Sequence, residues 1–245
     1  MKSKFDEALT LFQNGQLNKA KNICLEILKA QPNNFDIFHL LGLIAFQTKN
    51  YLKSVEIIDR AIQVKPNDAD IYNFHAVVLI HLKKFEEAIK SWTCAIQIKP
   101  DYADAYYNLG KIFSELNEHQ KAISYYEKAI QNNSNQADVH NNLGVIFKNL
   151  REHQKAISCY EKAVKIDPNY VNAYNNLGTI LGELNRIKEA KKNFEKSLSL
   201  DPNKKETNEE YGNIMLKFNH HGKALGYIRK GTGFIRFTQK DFKII

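Results

Sequence analysis

The chain has 245 residues, of which 43% are hydrophobic and 25% charged, and this is the composition of a folded globular protein. Its formal charge of +8 rests mostly on lysine. A coding bias towards Lys, Asn and Ile is enough to explain this charge, so we do not expect a nucleic acid partner. No apolar run reaches the roughly 20 residues of a membrane-spanning helix, and the N-terminus lacks the apolar core of a secretory signal. We therefore expect a cytoplasmic protein without a membrane partner.

From the N-terminus onwards the sequence repeats with a period of 34 residues. The prolines are separated by 34 residues or by twice that number, with Ser134 at the position that lacks one: Pro32, Pro66, Pro100, Pro168 and Pro202. Counted from Met1, seven blocks fit into the chain, and a residue's column is its position within its block. A fixed period of this length is typical of proteins built from stacked structural repeats.

Each block predicts two helices. Columns 4, 7, 8 and 11 hold mostly apolar or small residues, and this spacing places them on one face of a first helix. Columns 20, 21, 24, 27 and 28 do the same for a second helix. Column 8 is small in every block, and we expect it to let the two helices approach closely while large side chains in column 24 fill the space beside it.

Two further columns predict where the helices end. Column 15 holds Gly15, Asn117, Asn185 and Asn219, which tolerate the left-handed conformation of a helix end, so we place the turn between the two helices there. Proline in column 32 predicts the end of the second helix, because the residue before a proline is disfavoured in helical geometry. A single helix pair cannot bury its apolar face, so the pairs are expected to stack.

These columns resemble the tetratricopeptide repeat, most closely in the segment Ala105-Tyr106-Tyr107-Asn108-Leu109-Gly110 with Ala122, Tyr126 and Ala129 after it. The resemblance implies an all-α fold, a right-handed α-solenoid of stacked antiparallel helix pairs, with a short irregular or extended C-terminal tail. We divide the chain into an atypical first repeat at 1–34, a degenerate seventh repeat or cap at 205–230, and the tail at 231–245. Between them lie five well-formed repeats: 35–68, 69–102, 103–136, 137–170 and 171–204.

The resemblance also implies that the first helices of the pairs line a concave groove, which binds a peptide or helix of another protein. If columns 4, 7, 8 and 11 are buried, columns 2, 5, 6, 9, 12 and 13 face outward. Columns 9 and 12 are apolar in the first three blocks, at Leu9, Phe12, Leu43, Phe46, Val77 and Ile80. A contiguous exposed apolar row indicates a binding site, unless the first helix or a second copy covers it. Replacing Phe46 and Ile80 by Asp is then expected to abolish binding without unfolding the chain.

A second candidate set is a ladder of asparagines in blocks four to six: Asn108, Asn141, Asn142, Asn175 and Asn176. Each side-chain amide offers a donor and an acceptor, so the ladder would suit the backbone of an extended peptide. The repeat arm of protein O-GlcNAc transferases, which these repeats resemble, holds peptides through a similar ladder. Asparagine is also ordinary in column 6 of this family, so a purely structural role stays open.

Column 2 carries four aspartates, at Asp36, Asp70, Asp104 and Asp138. We expect them to cap helix N-termini, where a negative side chain is favoured, although an acidic row for a basic partner is the alternative. We find no catalytic constellation, no phosphate-binding loop and no metal-ligand spacing, and we expect Cys24, Cys94 and Cys159 to be free thiols. The sequence therefore predicts neither an enzyme nor a cofactor or metal.

From Lys205 the pattern decays, and the chain ends in a basic, apolar tail in which residues 233–238 predict an extended stretch. We consider three roles for the tail. It covers the last helix through Phe234, Ile235 and Phe237, or it docks on a partner or on itself. In the third, the repeats precede an enzyme domain that is missing or encoded separately. The function that we expect is a protein interaction scaffold. The alternative is the substrate-recruiting arm of a glycosyltransferase-like enzyme whose catalytic domain is missing or on another chain.

Overall fold

The computed structural model of the protein describes residues 4–133, 135–217, 221–232, 236–237 and 242–243. These residues form fourteen helices and two very short strands, so the predicted all-α class is confirmed. In chain order the helices are α1 (Lys4–Gln13), α2 (Leu17–Ala30), α3 (Phe35–Gln47), α4 (Tyr51–Val64), α5 (Ala69–His81), α6 (Phe85–Ile98), α7 (Ala103–Glu115), α8 (His119–Asn132), α9 (Ala137–Asn149), α10 (His153–Ile166), α11 (Val171–Glu183), α12 (Ile187–Leu200), α13 (Lys205–Lys217) and α14 (His221–Thr232).

The helices fall into two compact units, Met1–Asn132 with α1 to α8 and Asn133–Ile245 with α9 to α14. Within each unit the two helices of a block pack against each other, and the second helix of one block packs against the first helix of the next. In sequence the boundary lies next to Ser134, where the other well-formed blocks carry a proline.

The turns between the paired helices adopt the predicted left-handed conformation, and they do so at more positions than the sequence indicated. Gly15, Asn117 and Asn185 have φ angles of 72°, 59° and 62°. Three further residues of column 15 share this conformation, and they are Lys49, Lys83 and Arg151. In each turn the column 16 N–H bonds the column 11 carbonyl and the column 15 N–H bonds that of column 12, which is a Schellman helix end. Asn219 lies outside the described residues.

The first helices bury more columns than columns 4, 7, 8 and 11, which we predicted from helix periodicity. Column 10 is buried in blocks two to seven, and column 3 is fully buried there, at Ile37, Ile71, Ala105, Val139, Ala173 and Thr207. Within each unit, the reason is that a first helix packs against its own partner on one side and against the second helix of the preceding block on the other. Four residues of the columns expected to face outward are therefore buried, and they are Leu40, Asn141, Thr179 and Gly182.

The prediction that column 2 supplies the helix caps is wrong. Asn34 and Asp68, the last residues of their blocks, cap α3 and α5 by accepting the backbone N–H groups of Ile37 and Ile71, each at 3.1 Å. Column 2 lies inside the first helical turn, where a negative charge still faces the positive end of the helix dipole.

Two of these aspartates instead accept hydrogen bonds from the last residue of their own block, which stands directly before the first helix of the next pair. Tyr102 Oη donates to Asp70 Oδ1 at 2.7 Å, and Tyr170 Oη donates to Asp138 Oδ1 at 2.6 Å. Burial, and then this bond to a carboxylate, raise the pKa of Tyr102 above its usual range. Column 2 thus holds in place the residue that precedes the next helix pair.

The C-terminal segment has two short strands, β1 (Arg236–Phe237) and β2 (Phe242–Lys243). They pair antiparallel, with Arg236 opposite Lys243 and Phe237 opposite Phe242. The predicted extended stretch is confirmed at residues 236–237, while Phe234 and Ile235 lie outside the described residues. The seventh block forms a complete helix pair, α13 and α14, in spite of its weak sequence pattern.

Candidate functional site

The predicted apolar row does not form a uniformly exposed groove, because all six of its residues are half-buried. Leu9 and Phe12 of α1 pack against a core cluster that includes Leu40, Leu41 and Ile44 of α3. The first helix thus uses these two side chains for its own attachment to the next repeat. They belong to the structural core at this end of the chain.

Phe46 is also engaged within the chain. Its ring lies 5.6 Å from that of Tyr51, 5.8 Å from Phe74 and 5.1 Å from His81, measured between centroids. His81 stacks on Tyr51 at 4.7 Å, so the four rings form one cluster. Replacing Phe46 by Asp would break these contacts, so the Phe46 and Ile80 double variant cannot separate binding from folding.

Two residues of the row border a cleft of about 210 Å³ within the first unit, whereas Leu43 does not line it. Val77 and Ile80 of α5 form one wall together with His81. The other wall belongs to α7, and Trp92 of α6 lies at the base: the α7 residues are Asn108, Lys111, Ile112 and Glu115. The structure therefore joins two residues of the predicted apolar row with one asparagine of the predicted ladder.

A hydrogen-bonded group fixes the polar wall of this cleft. Asn73 Oδ1 accepts from Trp92 Nε1 at 2.9 Å and from Asn108 Nδ2 at 3.4 Å. Trp92 is 3% exposed, so its indole N–H needs the partner that Asn73 supplies. Within the described part of the chain, Oδ1 of Asn108 accepts no hydrogen bond and remains available as an acceptor.

The cleft also carries two uncompensated charges. Lys111 and Glu115 are both exposed on α7, and neither forms an ion pair with another described residue. The pair is one helical turn apart, so both heads can reach a chain lying across the cleft. The surface thus offers an apolar base, an amide and one charge of each sign.

The other four asparagines of the ladder lie in the second unit and bond largely to one another. Asn176 Nδ2 donates to Asn141 Oδ1 at 2.9 Å, and Asn141 Nδ2 approaches Asn142 Oδ1 at 3.5 Å. Asn141 is only 6% exposed, and Oδ1 of Asn175 is buried without a partner among the described residues. Asn141 is therefore a structural residue that positions the amide of Asn176, contrary to the outward orientation that we expected.

Six residues of the site were not predicted from the sequence: Asn73, His81, Trp92, Lys111, Ile112 and Glu115. Column 24 marked Trp92 as a core residue, which it is, but its bond to Asn73 depends on the packing of α5 against α6. Lys111 did leave a signal, because it interrupts the apolar residues of column 9.

No group of three or more His, Cys, Asp or Glu side chains converges as a metal site among the described residues. The three cysteines are free, and burial raises the pKa of the Cys24 thiol to about 11. None of the described helices has the length and apolar character required to span a bilayer.

Comparison with known proteins shows which family models match this sequence. Tetratricopeptide repeat models match residues 67–135, 137–170 and 159–192, which together cover just over half of the chain. A model for anaphase-promoting complex, cyclosome, subunit 3 matches residues 13–92. No curated protein matches the sequence significantly.

Solved structures with the same fold include MamA, which is 26% identical with a TM-score of 0.62 and covers 66% of this chain and 94% of its own. YrrB, described as a TPR protein with an unusual peptide-binding site, is 23% identical with a TM-score of 0.61 over 73% of this chain and 92% of its own. A repeat protein from Cytophaga hutchinsonii is 18% identical with a TM-score of 0.75 over 96% and 97%. The chain belongs to the tetratricopeptide repeat family.

Proposed function

We propose that the chain is a protein interaction scaffold that binds an extended peptide of a partner protein across the cleft between α5 and α7. The observation that carries the proposal is the composition of this cleft, in which Val77, Ile80 and Trp92 provide an apolar lining beside the amide of Asn108. Binding surfaces of this kind combine a buried apolar centre with a few polar groups that set orientation.

The dimensions and groups of the cleft define what the peptide contributes. A volume of about 210 Å³ suits one or two apolar side chains rather than a folded domain. Oδ1 of Asn108 would accept a backbone N–H group, which any residue except proline offers. Lys111 and Glu115 would favour a peptide that places a negative side chain beside Lys111 and a positive side chain beside Glu115.

Two lines of support stand beside the geometry. YrrB, which has the same fold, carries a peptide-binding site according to its description, so such a fold can serve this role. Asn73 holds the amide of Asn108 in place before any ligand arrives, and such preorganisation lowers the entropy lost on binding. The proposal assigns no reaction to the chain. A role as substrate-recruiting arm and a cytoplasmic location stay predictions.

The test is selection of peptides from a random display library on the immobilised chain, followed by affinity measurements on the enriched sequences. We expect the enriched peptides to share an apolar residue. Ile80→Asp should weaken their binding at least tenfold, because loss of a central apolar contact costs about 2 kcal/mol or more. Asn108→Ala should weaken binding by a smaller factor, since it removes one hydrogen bond.

Matched controls in the same unit are Leu52→Asp and Asn22→Ala. Leu52 is 66% exposed on α4 and Asn22 is exposed on α2, and neither lines the cleft. Both variants should bind the peptides as the wild type does. If Ile80→Asp keeps full affinity while it remains folded by circular dichroism, peptides bind elsewhere and the proposal is wrong.

A further inference from the structure

A second cavity lies within the first unit, away from the cleft. It is formed by α2, α3 and α4, has a volume of about 360 Å³, and is more enclosed than the cleft. Its apolar lining comes from all three helices, at Leu25, Leu28, Phe38, Leu41, Ile44 and Ile57. Its volume falls within the range of about 300–1,000 Å³ that small-molecule sites occupy.

In two columns the first repeat carries less apolar bulk than blocks two to five. Column 21 holds Lys21 here, as block six holds Lys191, whereas blocks two to five hold Val55, Ile89, Ile123 and Ile157. Column 24 holds Cys24, the smallest residue in a column otherwise filled by isoleucine or an aromatic ring. Both changes remove apolar volume between α2 and the following repeat, and closely packed interiors leave such space only where bulky side chains are missing.

The rim of this cavity is positively charged. Lys21, Lys53 and Arg60 line it together with a single carboxylate, that of Glu56. Glu56 is held by Lys53, whose Nζ lies 2.6 Å from Glu56 Oε2.

The other two cations have no such partner. Arg60 lies over the ring of Phe38, with its guanidinium carbon 4.4 Å from the centroid. Neither Lys21 nor Arg60 forms an ion pair with any acidic residue in the described part of the chain. An anionic group at the rim would therefore meet two uncompensated cations.

We propose that this cavity binds a small amphiphile, namely a medium-chain fatty acid, with its chain among the leucines and its carboxylate at Lys21 and Arg60. Each methylene that leaves water for an apolar site contributes about 0.8 kcal/mol, and the rim supplies the charge that distinguishes a carboxylate from a neutral head. The site shares no lining residue with the cleft between α5 and α7, so the two proposals stand independently.

The test is isothermal titration of the full-length chain with decanoate below its critical micelle concentration, with decanol and decyltrimethylammonium as comparison ligands. We expect decanoate to bind with a stoichiometry of one and at least tenfold more tightly than either comparison ligand. Octanoate should bind more weakly than decanoate, because it buries two fewer methylenes.

Lys21→Ile tests the site itself. It places in column 21 the residue that three other repeats already accept, so it fills the cavity and removes a rim cation without threatening the fold. We expect it to weaken decanoate binding at least tenfold, and Arg60→Gln to weaken it severalfold. Lys29→Gln changes an exposed lysine of α2 outside the cavity and should bind as the wild type does.

Three results would overturn the proposal. The first is no measurable decanoate binding, and the second is equal affinity for the cationic amphiphile. The third is unchanged binding by a Lys21→Ile variant whose thermal unfolding shows it to be folded. None of these results bears on the peptide selection above, because that experiment uses a separate surface.

Discussion

Gly144 and Tyr160 are in such close contact that the glycine cannot be replaced without moving the ring. A Cβ atom built on Gly144 of α9 would lie 2.5 Å from Cε1 of Tyr160 in α10, and Tyr160 is fully buried. The same relationship joins Gly110 to Tyr126 and Gly178 to Phe194. Small column 8 and large column 24 are thus one packing feature of the repeat.

We predict that Gly144→Ala destabilises the protein even though alanine is the better helix former. Overpacking a buried ring costs about 1–3 kcal/mol, which exceeds the gain of about 1 kcal/mol from helix propensity. Denaturant unfolding should show a net loss of about 1–2 kcal/mol. The control is Gly226→Ala in α14, where the new Cβ would meet no atom within 4 Å beyond its own stretch of helix, and which should gain stability. Equal behaviour of the two variants would contradict the packing argument.

A second prediction concerns the turn at Arg151, whose φ is 60°. A residue with a Cβ atom pays about 1–2 kcal/mol in this region, whereas glycine does not. Because glycine also adds freedom to the unfolded chain, Arg151→Gly should raise the free energy of unfolding by about 0.5–1 kcal/mol. Arg151→Ala removes the same side chain but keeps the Cβ atom, so it should bring no gain. A gain of similar size in both variants would point to the arginine side chain and away from the backbone.

The hydrogen bond from Tyr170 to Asp138 provides a third prediction. Tyr170→Phe removes only the donor and should cost about 0.5–1.5 kcal/mol in unfolding experiments, as one net hydrogen bond does. Tyr174→Phe in α11 is the control, because Oη of Tyr174 bonds no residue that the structure describes, and it should cost little. In an Asp138→Ala background the Tyr170→Phe effect should shrink, since the acceptor is already gone. Full additivity would show that the two side chains are not coupled.

Protonation of buried histidines should weaken the fold at low pH. Burial, and next the charge of Lys162, lower the pKa of His140 from its ordinary value near 6.5. Below about pH 6.5 the unfolded chain therefore binds more protons than the folded one, and the free energy of unfolding falls as the pH decreases towards the folded pKa. Burial lowers the pKa of His39 and His75 as well, so they add to the same trend.

His140→Tyr tests this, because column 4 holds tyrosine in three other repeats. Unfolding measured at pH 8 and at pH 5 should show a smaller loss of stability in this variant than in the wild type. Tyr174→Phe changes the same column in the next repeat without removing an imidazole, and it should keep the wild-type difference. An undiminished pH dependence in His140→Tyr would rule out His140 as a contributor.

The sequence by itself determined the fold and its period. Proline in column 32, small residues in column 8 and turn formers in column 15 predicted the helix pairs, because these signals act within a few residues or along one helix. Even so, column 15 gave no warning at Lys49, Lys83 and Arg151. There the packing of the two helices imposes the left-handed conformation, which lysine and arginine disfavour on their own.

Only the tertiary structure decided which outward columns form a site. Asn108 borders the cleft while Asn141, a member of the same ladder, is buried, and Phe46 joins an aromatic cluster while Ile80 lines the cleft. The bonds that make these distinctions join residues 32 to 35 positions apart, such as Asp70 with Tyr102 and Asn73 with Asn108. The physical reason is that helix periodicity reports only the direction of a side chain around its own axis. Its depth and partners depend on how closely the neighbouring repeat packs against it.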